Sequence, residues 1–389
     1  MIKLKKSELK IGSPLKWHIF DEEGHLLFKP GAIIASERQI ESLLTRGAFR
    51  NQDPKRNTLA EAPEPKSNKF VDSTSIKVAS SLLNLTPFDI IHNIFHRLRL
   101  LFESIDQNPV KITQQTAAIA RILIQLHNRD KEVVIGAVRQ MHEYDYTLCH
   151  PVHTTILSIL ISKHLKYGFN RQLRLACAAL TQNVSMNALQ ELLQEQKERP
   201  FEEQQTAIDC HPEASATMLK YCGVTDKKWL NIIKQHHERP DGEGYPQGLK
   251  QDEILQESMI IGLADRYAAM LSGRVHRKGM PTEEVIETLG HARGTECDQH
   301  MVNILIGALG VYPPGSFVKL RNNETAIVTR RTRNPKRPVV SSYVDPFGEP
   351  YNKPIIRDLN HKAIDIAYHT TPDLTIPVDL NIIWGFKKG

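Results

Sequence analysis

Through the middle of this chain apolar residues recur every three to four positions, the spacing of a helix with one buried face. Ile91, Ile94, Phe95, Leu98 and Phe102 form one such stripe, preceded by Thr86 and Pro87. A threonine hydroxyl there caps open amides and a proline fits the first turn, so a helix is predicted to start at this point. Ile119, Ile122, Leu123 and Leu126 form a second stripe, and the pattern continues over 150–165, 171–182 and 229–237 and again after Glu257 and Thr282. The centre of the protein is therefore predicted to be all-α. Near the start the pattern differs: Leu15 to Phe20 and His25 to Phe28 read as strands about the turn Asp21-Glu22-Glu23-Gly24. Ser36 and Gln39 then have the spacing of a capping box before a short helix through Ile40, Leu43 and Leu44 that ends at Gly47. After Tyr312-Pro313-Pro314-Gly315 short β-rich runs return, at 316–320, 325–329, 339–344 and 364–368.

These elements predict a mainly α protein in five stretches: a small α+β module at 1–50, an exposed linker at 51–70, a helical lead-in at 71–145, a helical domain at 146–311 and a β-rich appendix at 312–389. At 389 residues the chain is long enough for two or three domains. Fifty basic against forty-four acidic residues give +6, spread along the sequence. That excess favours small anionic ligands and argues against a nucleic-acid polymer as partner. Cys149, Cys177, Cys210, Cys222 and Cys297 are odd in number and form no CxxC pair, so reduced thiols and a cytoplasmic location are expected. The opening residues lead quickly into polar sequence and no apolar run reaches eighteen residues, so neither a signal peptide nor a membrane span is expected.

The densest chemistry lies in His236-His237-Glu238-Arg239-Pro240-Asp241-Gly242-Glu243-Gly244-Tyr245-Pro246. A histidine pair and several carboxylates beside a glycine-punctuated turn suit metal ligation next to a shaped loop. Upstream stand His150, in Tyr146-Thr147-Leu148-Cys149-His150-Pro151, and His211, in Cys210-His211-Pro212-Glu213; downstream stands Asp265, in Gly262-Leu263-Ala264-Asp265-Arg266-Tyr267. Imidazoles and carboxylates converging from several helices are what a divalent ion needs.

Over roughly Ile119 to Val311 this series resembles the HD-GYP family, a branch of the HD superfamily. The resemblance implies a helical HD bundle and, in active members, hydrolysis of cyclic di-GMP at a metal centre. It implies metal ligands at His150, His211, His236, His237 and Asp265. Asp241, Gly244, Tyr245 and Pro246 are then expected beside the ligand, and Arg274 and Arg277 at its phosphates, for which a guanidinium fork is suited. The family's His-Asp pair is replaced by Gln182-Asn183, Met186 stands where a lysine is usual, and Tyr146 where some members carry a glutamate ligand. A neutral amide is a poor bridge between metals. No catalytic set is then intact, and a cyclic di-GMP receptor or protein-interaction module is expected, with no metal or a single iron or manganese. GGDEF-type diguanylate cyclases are expected partners at the GYP loop, and a homodimer is one expected assembly. The alternative is a phosphodiesterase with a rearranged site, helped by His153, which lies one turn after His150.

Overall fold

A computed structural model of the chain describes residues 2–9, 15, 17, 19–20, 26–28, 40, 44, 48–50, 85–105, 111–140, 144–273, 279–360, 364–371, 375–376 and 378–386. The chain is mainly α-helical, with a small N-terminal β element and a C-terminal β-rich region. The N-terminal sheet has the order β1 (Ile2–Lys3), β4 (Phe49–Arg50), β2 (Ile19–Phe20), β3 (Leu26–Phe28). The expected hairpin is present, with Ile19 opposite Phe28. The expected Ser36–Gln39 capping box and the 51–70 linker lie outside the described residues.

Eleven helices of eight residues or more follow among the described residues: α1 (Pro87–Ser104), α2 (Ile112–Arg129), α3 (Lys131–Gln140), α4 (Tyr146–His164), α5 (Phe169–Thr181), α6 (Asn187–Glu195), α7 (Glu202–Tyr221), α8 (Lys227–Lys234), α9 (Gln256–Leu271), α10 (Thr282–His291) and α11 (Gln299–Leu309). Helix α1 starts as its sequence predicts: Thr86 Oγ1 accepts from the Asp89 amide at 3.2 Å, and Pro87 fills the first turn. Ile91, Ile94, Phe95 and Leu98 are buried along its inner face.

Helix α4 is apolar on every side, and 15 of its 19 residues are buried. A helix without a polar face belongs in the middle of a bundle. There it packs against α1, α2, α3, α5, α6, α9 and α11. It carries His150 and His153, so both are fixed by the main core. Helix α8 ends at Lys234, not at His237 as the periodicity suggested. Its last turn gives way to the loop at Gln235, because His236 turns its ring onto a backbone carbonyl and the Glu238 amide bonds the Gln235 carbonyl at 3.0 Å. Helices α6 and α7 were not legible in the sequence. The first turn of α7, Glu202-Glu203-Gln204-Gln205, is polar throughout, and its buried residues include the small Ala214, Ser215 and Ala216.

The C-terminal region is an antiparallel sheet in the order β8 (Pro350–Asp358), β7 (Val339–Val344), β6 (Thr325–Arg330), β5 (Phe317–Leu320), β9 (Ile366–His369), with a short helix α12 (Leu380–Ile383) after it. Four of its strands match the predicted runs. The longest, β8, went unpredicted because it is an exposed edge strand interrupted by Pro354, and proline suits only an edge. The sheet docks closely on α3. A Cβ on Gly315 would lie 2.6 Å from the Gly136 carbonyl oxygen, and one on Gly136 would lie 2.6 Å from the Trp384 ring. Arg331 also reaches across to Glu132, with Nη2 to Oε1 at 2.6 Å and Nε to Oε2 at 2.8 Å.

Candidate functional site

Three imidazoles meet at one point. His211 comes from the middle of α7, and His236 and His237 from the loop after α8; one ring nitrogen of each lies within 4.8 Å of those of the others. His211 Nδ1 donates to the Ile208 carbonyl at 2.5 Å and His236 Nδ1 to the Ile233 carbonyl at 2.6 Å. Their Nε2 atoms face one another at 3.1 Å. Burial, with the neighbouring His236, lowers His211 to about 3, and burial also lowers His236 and His237. All three are neutral at pH 7, so two ring lone pairs point at each other with no proton between them. That arrangement is repulsive unless a cation sits there, and three neutral imidazoles are a donor set that suits a divalent ion.

Asp265 lies behind this cluster on α9, buried to 9% exposure. Burial alone would raise its carboxyl, but His150, His237 and His236 outweigh that and hold it below the ordinary carboxylate range. It is ionised, and its Oδ1 accepts twice: from His150 Nε2 at 2.7 Å and from Gln182 Nε2 at 2.5 Å. The reverse amide orientation would set the Gln182 carbonyl against a carboxylate. The glutamine therefore presents protons where a ligand would present a lone pair, and it leaves its own Oε1 buried without a partner. Asn183 is also buried, with Oδ1 unpartnered. The turn that holds both is tied to α7 through Ser185, whose Oγ contacts Ser215 Oγ at 2.9 Å and the His211 carbonyl at 3.3 Å. Met186 closes that turn, half-buried. The residues thus fit one ion on the imidazole cluster; the Gln182-Asn183 side offers an N–H donor to the carboxylate in place of a second set of ligands.

The loop after the histidine pair is folded back on its own start. Tyr245 stacks on the His237 ring at 4.7 Å, and its amide donates to the His237 carbonyl at 3.2 Å. Only glycine fits at 244, where a Cβ would lie 2.4 Å from the Arg239 nitrogen. Glu238, which sequence reasoning did not single out, pins the far side: its carboxylate accepts from the Gln247 amide at 2.7 Å and the Leu249 amide at 2.9 Å. Asp241 faces Arg239 at 2.5 Å and caps the Glu243 amide at 3.0 Å. Pro246 follows a cis peptide bond. Arg274 and Arg277 lie outside the described residues.

A cavity of about 530 Å³ opens on His236, His237 and Tyr245, with carboxylates of Glu238, Glu243, Asp265, Glu296 and Asp298 around it. Arg239 and Arg266 line it too, the first paired with Asp241 and the second with Glu296, so charges of both signs face the cavity. His150 bonds Asp265 and is not one of the three clustered imidazoles, and Tyr146 stacks on it at 4.9 Å. His153, lowered to about 3 by burial and by Arg139, lies beside the Tyr267 ring at 6.2 Å and stands apart from the cluster. None of the five cysteines is in a disulfide, and no described helix is long and apolar enough to cross a membrane.

Residues 113–301 match the family model for the HD domain. A cyclic di-GMP phosphodiesterase of Pseudomonas aeruginosa is 26% identical over 200 residues, covering 51% of this chain and 48% of that protein. The cyclic di-GMP phosphodiesterase PdeB of Borreliella burgdorferi is 26% identical over 198 residues, covering 51% and 52%. The chain thus spans about half the length of the curated relatives it matches. Among solved structures, an HDG"Y"P protein from Bdellovibrio bacteriovorus aligns with a TM-score of 0.49 at 15% identity, over 79% of this chain and 99% of that one.

Proposed function

Residues 113–301 are an HD domain, and on that premise we propose that this chain is a cyclic di-GMP signalling protein that binds its dinucleotide and is impaired in cutting it. One observation carries the reading: Asp265 Oδ1 is occupied by protons from both His150 and Gln182. In hydrolases of this kind a carboxylate bridges two metals and the metals acidify the attacking water; where the resemblance puts that bridge, this chain has the neutral amide of Asn183. With Gln182 donating to Asp265 Oδ1, the described residues gather donors for one ion, on His211, His236 and His237. Such an ion, iron or manganese, would supply Lewis acidity toward a phosphate oxygen. This chain's residues hold neutral imidazoles toward it, and the Tyr245 loop limits access. A ligand that is held and not cut acts by its differential affinity for two states of the protein. The Gly244-Tyr245-Pro246 loop is the surface proposed for a GGDEF-type partner.

The rival is a phosphodiesterase working with one ion on the same imidazole cluster. Plasma mass spectrometry for metal content, with overnight incubation of the protein with cyclic di-GMP and added manganese or iron, separates the two. Saturable binding of uncut cyclic di-GMP supports the receptor reading. Metal-dependent appearance of linear dinucleotide overturns it.

A further inference from the structure

From the end of β6 to the start of β7 the chain reads Arg330-Arg331-Thr332-Arg333-Asn334-Pro335-Lys336-Arg337-Pro338, five cations in nine residues with no aspartate or glutamate among them. Internal bonds fix this loop. Thr332 Oγ1 donates to the Arg337 carbonyl at 2.8 Å, the Lys336 amide to Asn334 Oδ1 at 3.0 Å, and the Arg337 amide to the Asn334 carbonyl at 3.0 Å. Two of the five cations are used inside the fold, Arg331 on Glu132 of α3 and Arg337 on Asp365 at 3.1 Å. Arg330, Arg333 and Lys336 are exposed and form no ion pair with a described residue.

These three have cationic neighbours on the helical body. The Arg331 amide donates to Glu132 Oε2 at 3.1 Å, which sets Arg330 beside the first turn of α3, where Lys131 is exposed. His127 of α2 reports the local field: after burial, the charges of Lys163, Lys131 and Arg331 lower it, so cations from α4, α3 and the loop meet around one imidazole. Arg129, at the end of α2, is exposed as well. Of the carboxylates on these elements, Glu132 is neutralised by Arg331, and Asp130 caps the Val133 amide at 3.1 Å, so the balance stays positive. Like charges held together repel, and a surface of opposite sign relieves that repulsion. The shape narrows the choice of surface. Residues 333–336 are all exposed, so the loop protrudes, and it carries no aromatic side chain. Single strands of nucleic acid favour a cationic groove with aromatic platforms, whereas a flat array of phosphates fits a protruding cationic loop.

We propose that this face, the 330–338 loop with Arg129, Lys131 and Lys163, docks the chain on an anionic phospholipid bilayer. The attachment is peripheral and uses none of the residues of the imidazole cluster, so it goes beyond the HD-site reading. Because the bond between Arg331 and Glu132 locks the loop to α3, the surface is in place before contact. Each Lys or Arg near such a bilayer is worth about fivefold in affinity, which makes a face of this size a reversible anchor.

Vesicle sedimentation of the full chain tests this, with mixed phosphatidylglycerol and phosphatidylcholine vesicles against phosphatidylcholine alone. Binding is expected on the mixed vesicles only, and it should fall steeply as salt is raised, because exposed charges are screened. Arg333→Glu with Lys336→Glu changes two exposed side chains that hold no part of the fold, and is expected to weaken binding by about twentyfold or more. Lys197→Glu with Lys353→Glu makes the same change of net charge on the α6–α7 connection and on β8, and is expected to leave binding within about twofold. No binding to mixed vesicles at low salt overturns the proposal, as does equal binding to neutral vesicles, or binding indifferent to Arg333→Glu with Lys336→Glu. Retention of duplex RNA without retention of vesicles assigns the face to nucleic acid and overturns it too. A failure of the HD-site reading would appear instead in cyclic di-GMP binding and metal content, which sedimentation with these vesicles does not report.

Discussion

Gly262 approaches the His236 carbonyl so closely that a Cβ at that position would lie 2.5 Å from the oxygen. Asp265 stands one turn further along the same helix, so this contact sets how near the carboxylate comes to the imidazoles. Gly262→Ala should push α9 away, costing about 1–3 kcal/mol of stability as overpacking does. Urea unfolding reads that loss, and the variant should retain less metal than wild type after the same purification. Unchanged stability would mean that α9 can shift at no cost and that the close approach is incidental.

Restoring a ligating pair by Gln182→His with Asn183→Asp replaces an N–H donor at Asp265 Oδ1 with a lone pair and adds a second carboxylate. Bound metal per chain is expected to rise, measured by plasma mass spectrometry after loading with manganese. No gain would count against the assignment of these two positions to the metal side of Asp265.

Glu238→Gln keeps one acceptor for the two loop amides and replaces the other with an N–H. The loop from His237 to Leu249 should loosen, with the Gln247 and Leu249 amides exchanging hydrogen about tenfold faster or more, given what a charge-assisted bond contributes. Hydrogen exchange by NMR measures each amide separately. Unchanged rates at both would show that the stacking of Tyr245 on His237 holds the loop alone.

His127 provides an acid-sensitive element far from the cluster. It is 5% exposed, and burial together with the charges of Lys163, Lys131 and Arg331 lowers it from 6.5 to about 4. Its folded value is below its unfolded one, so its stabilising contribution is full above pH 6.5 and is lost as pH falls through 4. The size is about 3 kcal/mol across that window. His127→Phe should flatten the fall in urea midpoint between pH 6.5 and 4 relative to wild type. Parallel curves for the two proteins would rule His127 out as the titrating group.

The local part of the site was legible because its residues are contiguous: His236 to Pro246 form one loop, and the sequence carries the whole motif. Thr86 and Pro87 were readable for the same reason. Long-range pairings left no such trace. Nothing near Gln182 says that its amide will donate to a carboxylate 83 residues later. Arg331 meets Glu132 across 199 residues, so the cationic face that joins the loop to the helices exists only in three dimensions. Helix α7 was missed although it carries His211, because small and polar residues give a buried face with little periodic contrast.

The double hydrogen bond at Asp265 also bears on how the protein is made. In a centre where ligands must wait for an ion, an empty site leaves like groups facing one another, and maturation follows supply of the metal. Here the carboxylate is satisfied from within the chain, by a glutamine and a histidine that are in place as soon as the helices pack. Only the imidazole trio is left wanting a cation. Newly synthesised chains should therefore pack the Asp265 side of the site in iron-starved cells as readily as in replete ones, and depend on a cation at the imidazole trio alone.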